Sequence, residues 1–416
     1  APLEIGNHHV IEFEVLGKPH TMALYGASNY RDSVLVADIS KIIEAEAAIF
    51  GGLPYEHYNF IFHAEEGRGG LEHASSSVNF INRWSFNDTT RYKSFLSLVS
   101  HEFFHTWNVK RIAPTGIASF DYDQENYLDE LWVAEGFTSY YDELILQRIG
   151  LTSRKTYLDV LKSEINQLEA RPGRLHQSVA ESSFDTWIKY YRPNENSSNT
   201  TISYYNKGHL LGLLLDIKII AATQGKTNLD DVMMLLYKDF ALKQKGYTSN
   251  DVRLACEKLS GLKLEKFFTD YVFGVEPLPY AEVLQLAGLT LDSSFEKSAW
   301  LGAKLREQNG QVMITAVDES SPAWDAGLNV NDELVAIDGF RTKSAKPLYL
   351  GEKVPGDRII CTVSRNGVLK DIHLTVGFTP TVLSKIKQVS DPEDAQIVVF
   401  SKWLGLSWGE DEIAKE

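Results

Sequence analysis

The chain has 416 residues, 44% of them apolar and 23% charged, with a formal charge of −15 and an isoelectric point near 5.3. That length exceeds one ordinary domain and suggests roughly two to four compact units with ample core, and the composition is that of a globular protein. The acidic balance, with no compact Lys/Arg stripe, excludes nucleic acid as an expected partner, and no apolar run approaches the ~20 residues that span a bilayer, so no membrane span is expected.

Residues 1–25 open with strand-like alternation in His9-Val10-Ile11-Glu12-Phe13-Glu14-Val15 and read as the remnant of an N-terminal β domain, whose earlier portion is expected to be missing. Residues 26–85 read as a mixed α/β segment. An apolar-periodic stretch from Ser33 to Ile49 is stopped by Gly51-Gly52-Leu53-Pro54, and a strand follows over 57–63. From Arg91 to Leu286 the spacing predicts amphipathic helices at 91–108, 129–149, 153–169, 204–223, 228–242, 249–260 and 263–273. Thr227 and Asn228, and then Ser249, are the expected caps of two of them. Two prolines, Pro277 and Pro279, mark a boundary, and after Leu289 the texture changes to short β runs. Asn309-Gly310, Asp338-Gly339 and Asn366-Gly367 predict hairpins within a small β domain over 298–377. Residues 378–416 read as a tail with one helical stretch and a solvated acidic end at Gly409-Glu410-Asp411-Glu412. The two cysteines, Cys256 and Cys361, fall in different predicted domains and give no disulfide framework, so the compartment stays open.

The chemistry concentrates at His101-Glu102-Phe103-Phe104-His105. Inside a helix, two imidazoles four residues apart project from one face and can grip one ion. A catalytic zinc takes three protein ligands and keeps a fourth position for water, and Glu102 is placed to draw a proton from that water. A carboxylate inside the apolar, aromatic stretch from Leu131 to Tyr141 needs a partner, and Glu135 on its core-facing stripe would find one as the third ligand. The expected cofactor is a single Zn2+ on His101, His105 and Glu135.

His101-Glu102-x-x-His105 followed by Trp132-x-x-Glu135-Gly136-Phe137-Thr138 resembles the gluzincin metallopeptidases. His105-Thr106-Trp107-Asn108-Val109-Lys110-Arg111-Ile112 is similar to the glycyl aminopeptidase family, whose members carry a PDZ domain after the catalytic domain. The stretch between His105 and Glu135 is longer than the gap usual in the family typified by aminopeptidase N, which favours the glycyl branch. The resemblance implies an α+β multidomain fold: a mixed α/β start, a mostly helical thermolysin-like catalytic domain over 26–289, and a β-rich PDZ domain. Gly69-Gly70-Leu71-Glu72-His73 is similar to the Gly-x-Met-Glu-Asn signature, with Leu and His in place of Met and Asn, and implies that Glu72 anchors a substrate's free amine beside a strand edge. Tyr205-Asn206-Lys207-Gly208 resembles the Tyr-Glu-Lys-Gly segment and implies Tyr205 as the oxyanion donor, with Tyr204 as its rival.

Ser321-Pro322-Ala323-Trp324-Asp325-Ala326-Gly327-Leu328 and Asn331 to Gly339 resemble bacterial PDZ domains, with Leu301, Gly302 and Ala303 as the counterpart of the carboxylate-binding loop of a peptide groove. The implied function is a zinc-dependent aminopeptidase acting on peptides with a free N-terminus and preferring Gly or Ala. A zinc endopeptidase with PDZ-assisted selection and an inactive PDZ adaptor are the alternatives. The expected setting is the bacterial cytoplasm or periplasm, undecided between them.

Overall fold

The computed structural model describes residues 2–409 apart from 120, 122, 295–298, 347, 379 and 381. The expected acidic end at Glu410, Asp411 and Glu412 lies outside the described residues.

The chain begins with β1 (His9–Val15), β2 (Lys18–Tyr25), α1 (Asp32–Phe50), β3 (Tyr58–Glu65), β4 (Gly69–His73) and β5 (Ser76–Asn82). All five strands form one sheet in the order β1-β2-β3-β5-β4. The expected break at residue 25 is therefore absent. β2 pairs in parallel with β3, and the long connection a parallel pair requires is supplied by α1. That helix stops at Gly51, whose φ of 77° returns an amide to Ala47 O, as expected from the Gly-Gly-Leu-Pro signal. β4 forms the far edge of the sheet, paired only with β5.

The helical half comprises α2 (Thr89–Phe104), α3 (Leu131–Ala134), α4 (Gly136–Arg148), α5 (Arg154–Glu169), α6 (Val179–Phe184), α7 (Ser197–Thr200), α8 (Tyr204–Ala222), α9 (Leu229–Asp239), α10 (Ser249–Ser260), α11 (Glu265–Phe267) and α12 (Tyr280–Gln285). Their starts are capped by short polar side chains. Asp88 accepts from Arg91 N, Ser203 from Asn206 N, and Asn228 forms a reciprocal box with Asp231. Thr248, one residue before the expected Ser249, caps α10. The helix expected over 129–149 is divided at Glu135. The Asn108 side-chain amide donates to the carbonyls of Val133 and Ala134 at 2.9 and 3.2 Å, carbonyls that an unbroken helix would use for itself. Gly136 then lies against Gly208 of α8, where a Cβ would come within 2.4 Å of the Gly208 Cα. The helix expected over 263–273 is likewise reduced to α11 and a π turn over Phe268–Val272. α8, apolar almost throughout, is the hub: α4, α3, α5, α6 and α12 all pack on it, and Leu210, Leu211, Leu213, Leu214, Leu215 and Ile217 contribute to one continuous core.

The last third holds β6 (Leu289–Ser294), β7 (Ala299–Trp300), β8 (Ala303–Gln308), β9 (Gln311–Val317), α13 (Pro322–Ala326), β10 (Glu333–Ile337), β11 (Phe340–Arg341), α14 (Leu348–Gly351), β12 (Arg358–Arg365), β13 (Val368–Thr375), β14 (Gly377–Phe378), β15 (Val382–Gln388) and α15 (Asp394–Leu404). A sheet ordered β13-β12-β10-β9-β8 encloses a second, separate core around Ile314, Leu334, Cys361 and Val363. All three expected hairpin turns have both central residues at positive φ: Asn309-Gly310, Asp338-Gly339 and Asn366-Gly367.

Within the expected tail over 378–416, the described segments from Val382 to Leu404 pack on the body, contrary to expectation. β15 pairs antiparallel with β6, and α15 packs on α8 and α4, so the small β domain is inserted into the catalytic body rather than appended to it. Trp403 is fully buried, and its indole N–H donates to the Tyr140 hydroxyl at 2.9 Å. A further tie comes from Asn199 of α7, only 3% exposed. Its amide donates to Val317 O at 2.8 Å and accepts from Glu319 N at 2.9 Å.

Candidate metal centre and active site

His101 lies on the last turn of α2 and His105 caps it, so their rings stand 4.7 Å apart and nearly perpendicular. Each Nδ1 is already committed. That of His101 donates to Asp142 Oδ2 on α4 at 3.0 Å, and that of His105 donates to Asn108 O at 2.7 Å. With the hydrogen on Nδ1, each Nε2 presents a lone pair. Both Nε2 atoms are 3.3 Å from one oxygen, Oε2 of Glu135. Two lone pairs and an anionic oxygen facing one another repel unless a proton or a cation lies among them. Donors ~2.0–2.1 Å from a shared ion in a tetrahedral array stand roughly 3.3–3.4 Å apart, so these three atoms have the spacing of three corners of such a site.

The electrostatics of these side chains carry the same signature. Burial would raise the Glu135 carboxyl, but His105 and His101 outweigh it and hold the group well below the ordinary carboxylate range. Burial would lower His101, yet Asp142 and Glu135 lift it well above its ordinary value. His105 is also raised, by Glu135 against the effect of burial. The site is therefore built to concentrate positive charge. Among the described residues, the groups with convergent donor atoms are His101, His105 and Glu135, and the overlapping set Glu72, Glu102 and His105. Both sets share His105, so they describe one centre.

Glu102 is buried beside this centre, and its Oε2 has no hydrogen-bond partner. Burial pushes its pKa up to about 7, with His105 and His101 opposing and Glu72 and Glu135 adding to the rise. Gly70 lies directly against it, and a Cβ at residue 70 would meet Glu102 Oε1 at 2.1 Å, so the edge strand approaches this closely only through a glycine. Gly69, Gly70, Leu71 and Glu72 thus bring the edge β4 alongside the cluster, with Leu71 exposed. Glu72 Oε1 is paired with the Lys110 ammonium at 2.8 Å.

Tyr205, at the start of α8, stacks beside His101 with ring centroids 6.3 Å apart. Burial and then Glu135 raise its phenol, which stays protonated. Tyr204 lines the cleft, but its hydroxyl accepts from Thr186 Oγ1 at 3.1 Å. The cleft in front of the cluster, about 880 Å³, runs from Glu72, Lys110 and Glu135 to an aromatic side formed by Trp187 and Tyr191.

In the small β domain Leu301 is buried, and Gly302, at φ 74°, is pressed so closely on Ser321 that a Cβ would fall 2.0 Å from that residue's Cβ. Gly302 O accepts from Asp318 N at 2.7 Å, and Ala303 opens β8, the free edge of the sheet. Sequence reasoning missed Asp142 and Asn108. Asp142 was discoverable as a second carboxylate seven residues after Glu135, two turns along the same buried stripe.

Residues 94–211 match the M61 glycyl aminopeptidase family, and residues 299–376 match the PDZ domain family. Among solved structures, an aminopeptidase N family protein from Idiomarina loihiensis is 29% identical. The match covers 96% of this chain and 71% of that one, with a TM-score of 0.85. An M1 zinc metallopeptidase from Deinococcus radiodurans is 14% identical over 66% of this chain and 53% of that one, with a TM-score of 0.46. No curated protein matches.

Proposed function

We propose that this metallopeptidase, which carries an M61 glycyl aminopeptidase domain and a PDZ domain, is a zinc-dependent aminopeptidase that hydrolyses the N-terminal peptide bond and prefers Gly or Ala there. The observation that carries this reading is the convergence of His101 Nε2, His105 Nε2 and Glu135 Oε2 at 3.3 Å beside an unpartnered Glu102 oxygen. One Zn2+ on these three ligands would supply a water of lowered pKa and polarise the scissile carbonyl.

Glu102 takes the proton from the attacking water and passes it to the leaving amine; its raised pKa suits both steps near neutrality. Tyr205 donates its phenolic hydrogen to the developing oxyanion. β4 offers an edge along which an extended peptide can lie, and Glu72 takes the terminal ammonium, which limits cleavage to one residue from the end.

The pairing of Glu72 with Lys110 favours a second reading, an endopeptidase in which that carboxylate never meets a substrate's ammonium. Metal analysis with a panel of amino-acid anilides and their acetylated forms tests both. The aminopeptidase reading expects a stoichiometric zinc and cleavage confined to free amines, fastest for Gly and Ala. Equal cleavage of acetylated substrates would sink it.

A further inference from the structure

The carboxylate assigned to the substrate's ammonium is already occupied by a cation of the protein's own. Lys110 Nζ lies 2.8 Å from Glu72 Oε1, and both side chains line the cleft. Glu72 in turn has its oxygen within 4.8 Å of donor atoms of Glu102 and His105, so whatever sits on it sits beside the reacting centre.

Lys110 stands on the irregular turn that follows His105. That turn is pinned by Arg111, whose guanidinium donates to the carbonyls of Pro54, Ala74 and Thr106. Arg111 is therefore committed to backbone, and of the cations lining the cleft Lys110 is the one paired with Glu72. With the backbone fixed, the Lys110 side chain is the part that can move; it is 27% exposed, on a four-carbon stem with freely rotating bonds.

We infer that Lys110 is a specificity-determining residue, a resident cation on Glu72 that an incoming N-terminal ammonium must displace or crowd. The inference rests on the reading of Glu72 as the amine anchor. Two ammonium groups sharing one carboxylate stand about 4–5 Å apart, and at that separation their repulsion weakens binding by roughly five-fold even at the dielectric of water, and more in a partly enclosed cleft. A blocked terminus makes no claim on Glu72 and is not affected. Lys110 thus lowers the affinity for free amines selectively and sets the margin between free and blocked peptides.

The test is calorimetric binding of tri-alanine and N-acetyl-tri-alanine to zinc-loaded protein in a Glu102→Gln background, which removes turnover. Lys110→Met is expected to tighten tri-alanine by about ten-fold and leave the acetylated peptide unchanged, whereas Lys110→Arg, which keeps the cation, behaves like the parent. Unchanged or weaker binding of tri-alanine to Lys110→Met, or an equal gain for both peptides, overturns the inference. Failure of the aminopeptidase reading registers separately, as equal hydrolysis of free and acetylated anilides by the unsubstituted protein. The comparison of Lys110→Met with its parent is decided by binding whichever way that hydrolysis falls.

Discussion

The imidazole of His101 is held from behind by Asp142, Nδ1 to Oδ2 at 3.0 Å, and this contact fixes which nitrogen faces Glu135. Carboxylates in that position orient a ligand and raise its basicity. Asp142→Ala is expected to weaken zinc binding by about 10- to 100-fold, read by competition with a chromogenic chelator. Affinity equal to the parent's would mean that α2 alone orients the ring.

Removing the proposed base should separate metal binding from chemistry. Glu102→Gln is expected to keep one zinc per chain while kcat falls by roughly three orders of magnitude or more, because the carboxylate is needed only when the proton moves. A variant that hydrolyses alanine anilide near the parent's rate contradicts the assignment.

The role proposed for Glu72 is read through KM. Glu72→Gln should raise KM for free-amine anilides by on the order of 100-fold and reduce the preference over acetylated forms, with zinc content intact. An unchanged free-to-blocked ratio removes Glu72 from amine recognition.

The contact between Gly136 and Gly208 holds the Glu135 joint against the helix that carries Tyr205. A Cβ on Gly208 would approach Trp132 O at 2.4 Å and Gly136 Cα at 2.8 Å, both backbone atoms that cannot swing aside. Gly208→Ala is expected to cost about 2–4 kcal/mol in a thermal or denaturant melt and to lower activity with it. A melt superimposable on the parent's would show that the two helices separate freely.

Lys207 gives the fold a pH signature. It is 2% exposed, and its pKa is pushed down to about 8 by burial and then Arg174, against Glu181. Below pH 8 the folded chain carries a buried charge at full cost. Between about 8 and the unfolded value near 10.5 the unfolded chain binds a proton that the folded chain has lost, so stability rises with pH. Lys207→Met should be more stable at pH 7, by on the order of 3 kcal/mol, and the advantage should shrink across that window in urea melts. An advantage that does not change with pH would show that the ammonium is solvated.

Local rules made much of this legible. The Asn-Gly and Asp-Gly turns need positive φ at both central positions and the structure has it, because nothing distant competes with a two-residue loop. The His101 and His105 spacing works for the same reason, since one helical turn sets it. Elements that depend on distant partners were misread. The break at Glu135 is made by the amide of Asn108, far upstream. The insertion of the small β domain is visible only once β6 finds β15. The pairing of Lys110 with Glu72 is likewise set by the turn after His105 and not by local spacing.

That last β pairing has a consequence for how the molecule is made. The hub helix α8 meets α15, and Tyr140 meets Trp403, only after the ribosome has passed the whole inserted domain. A nascent chain that has already released His101, His105 and Glu135 still lacks a wall of the core they rest on. Assembly of the cutting machinery is thereby deferred until residue 404 has left the exit tunnel, and chains halted short of that point are left with an open seam along their central helix.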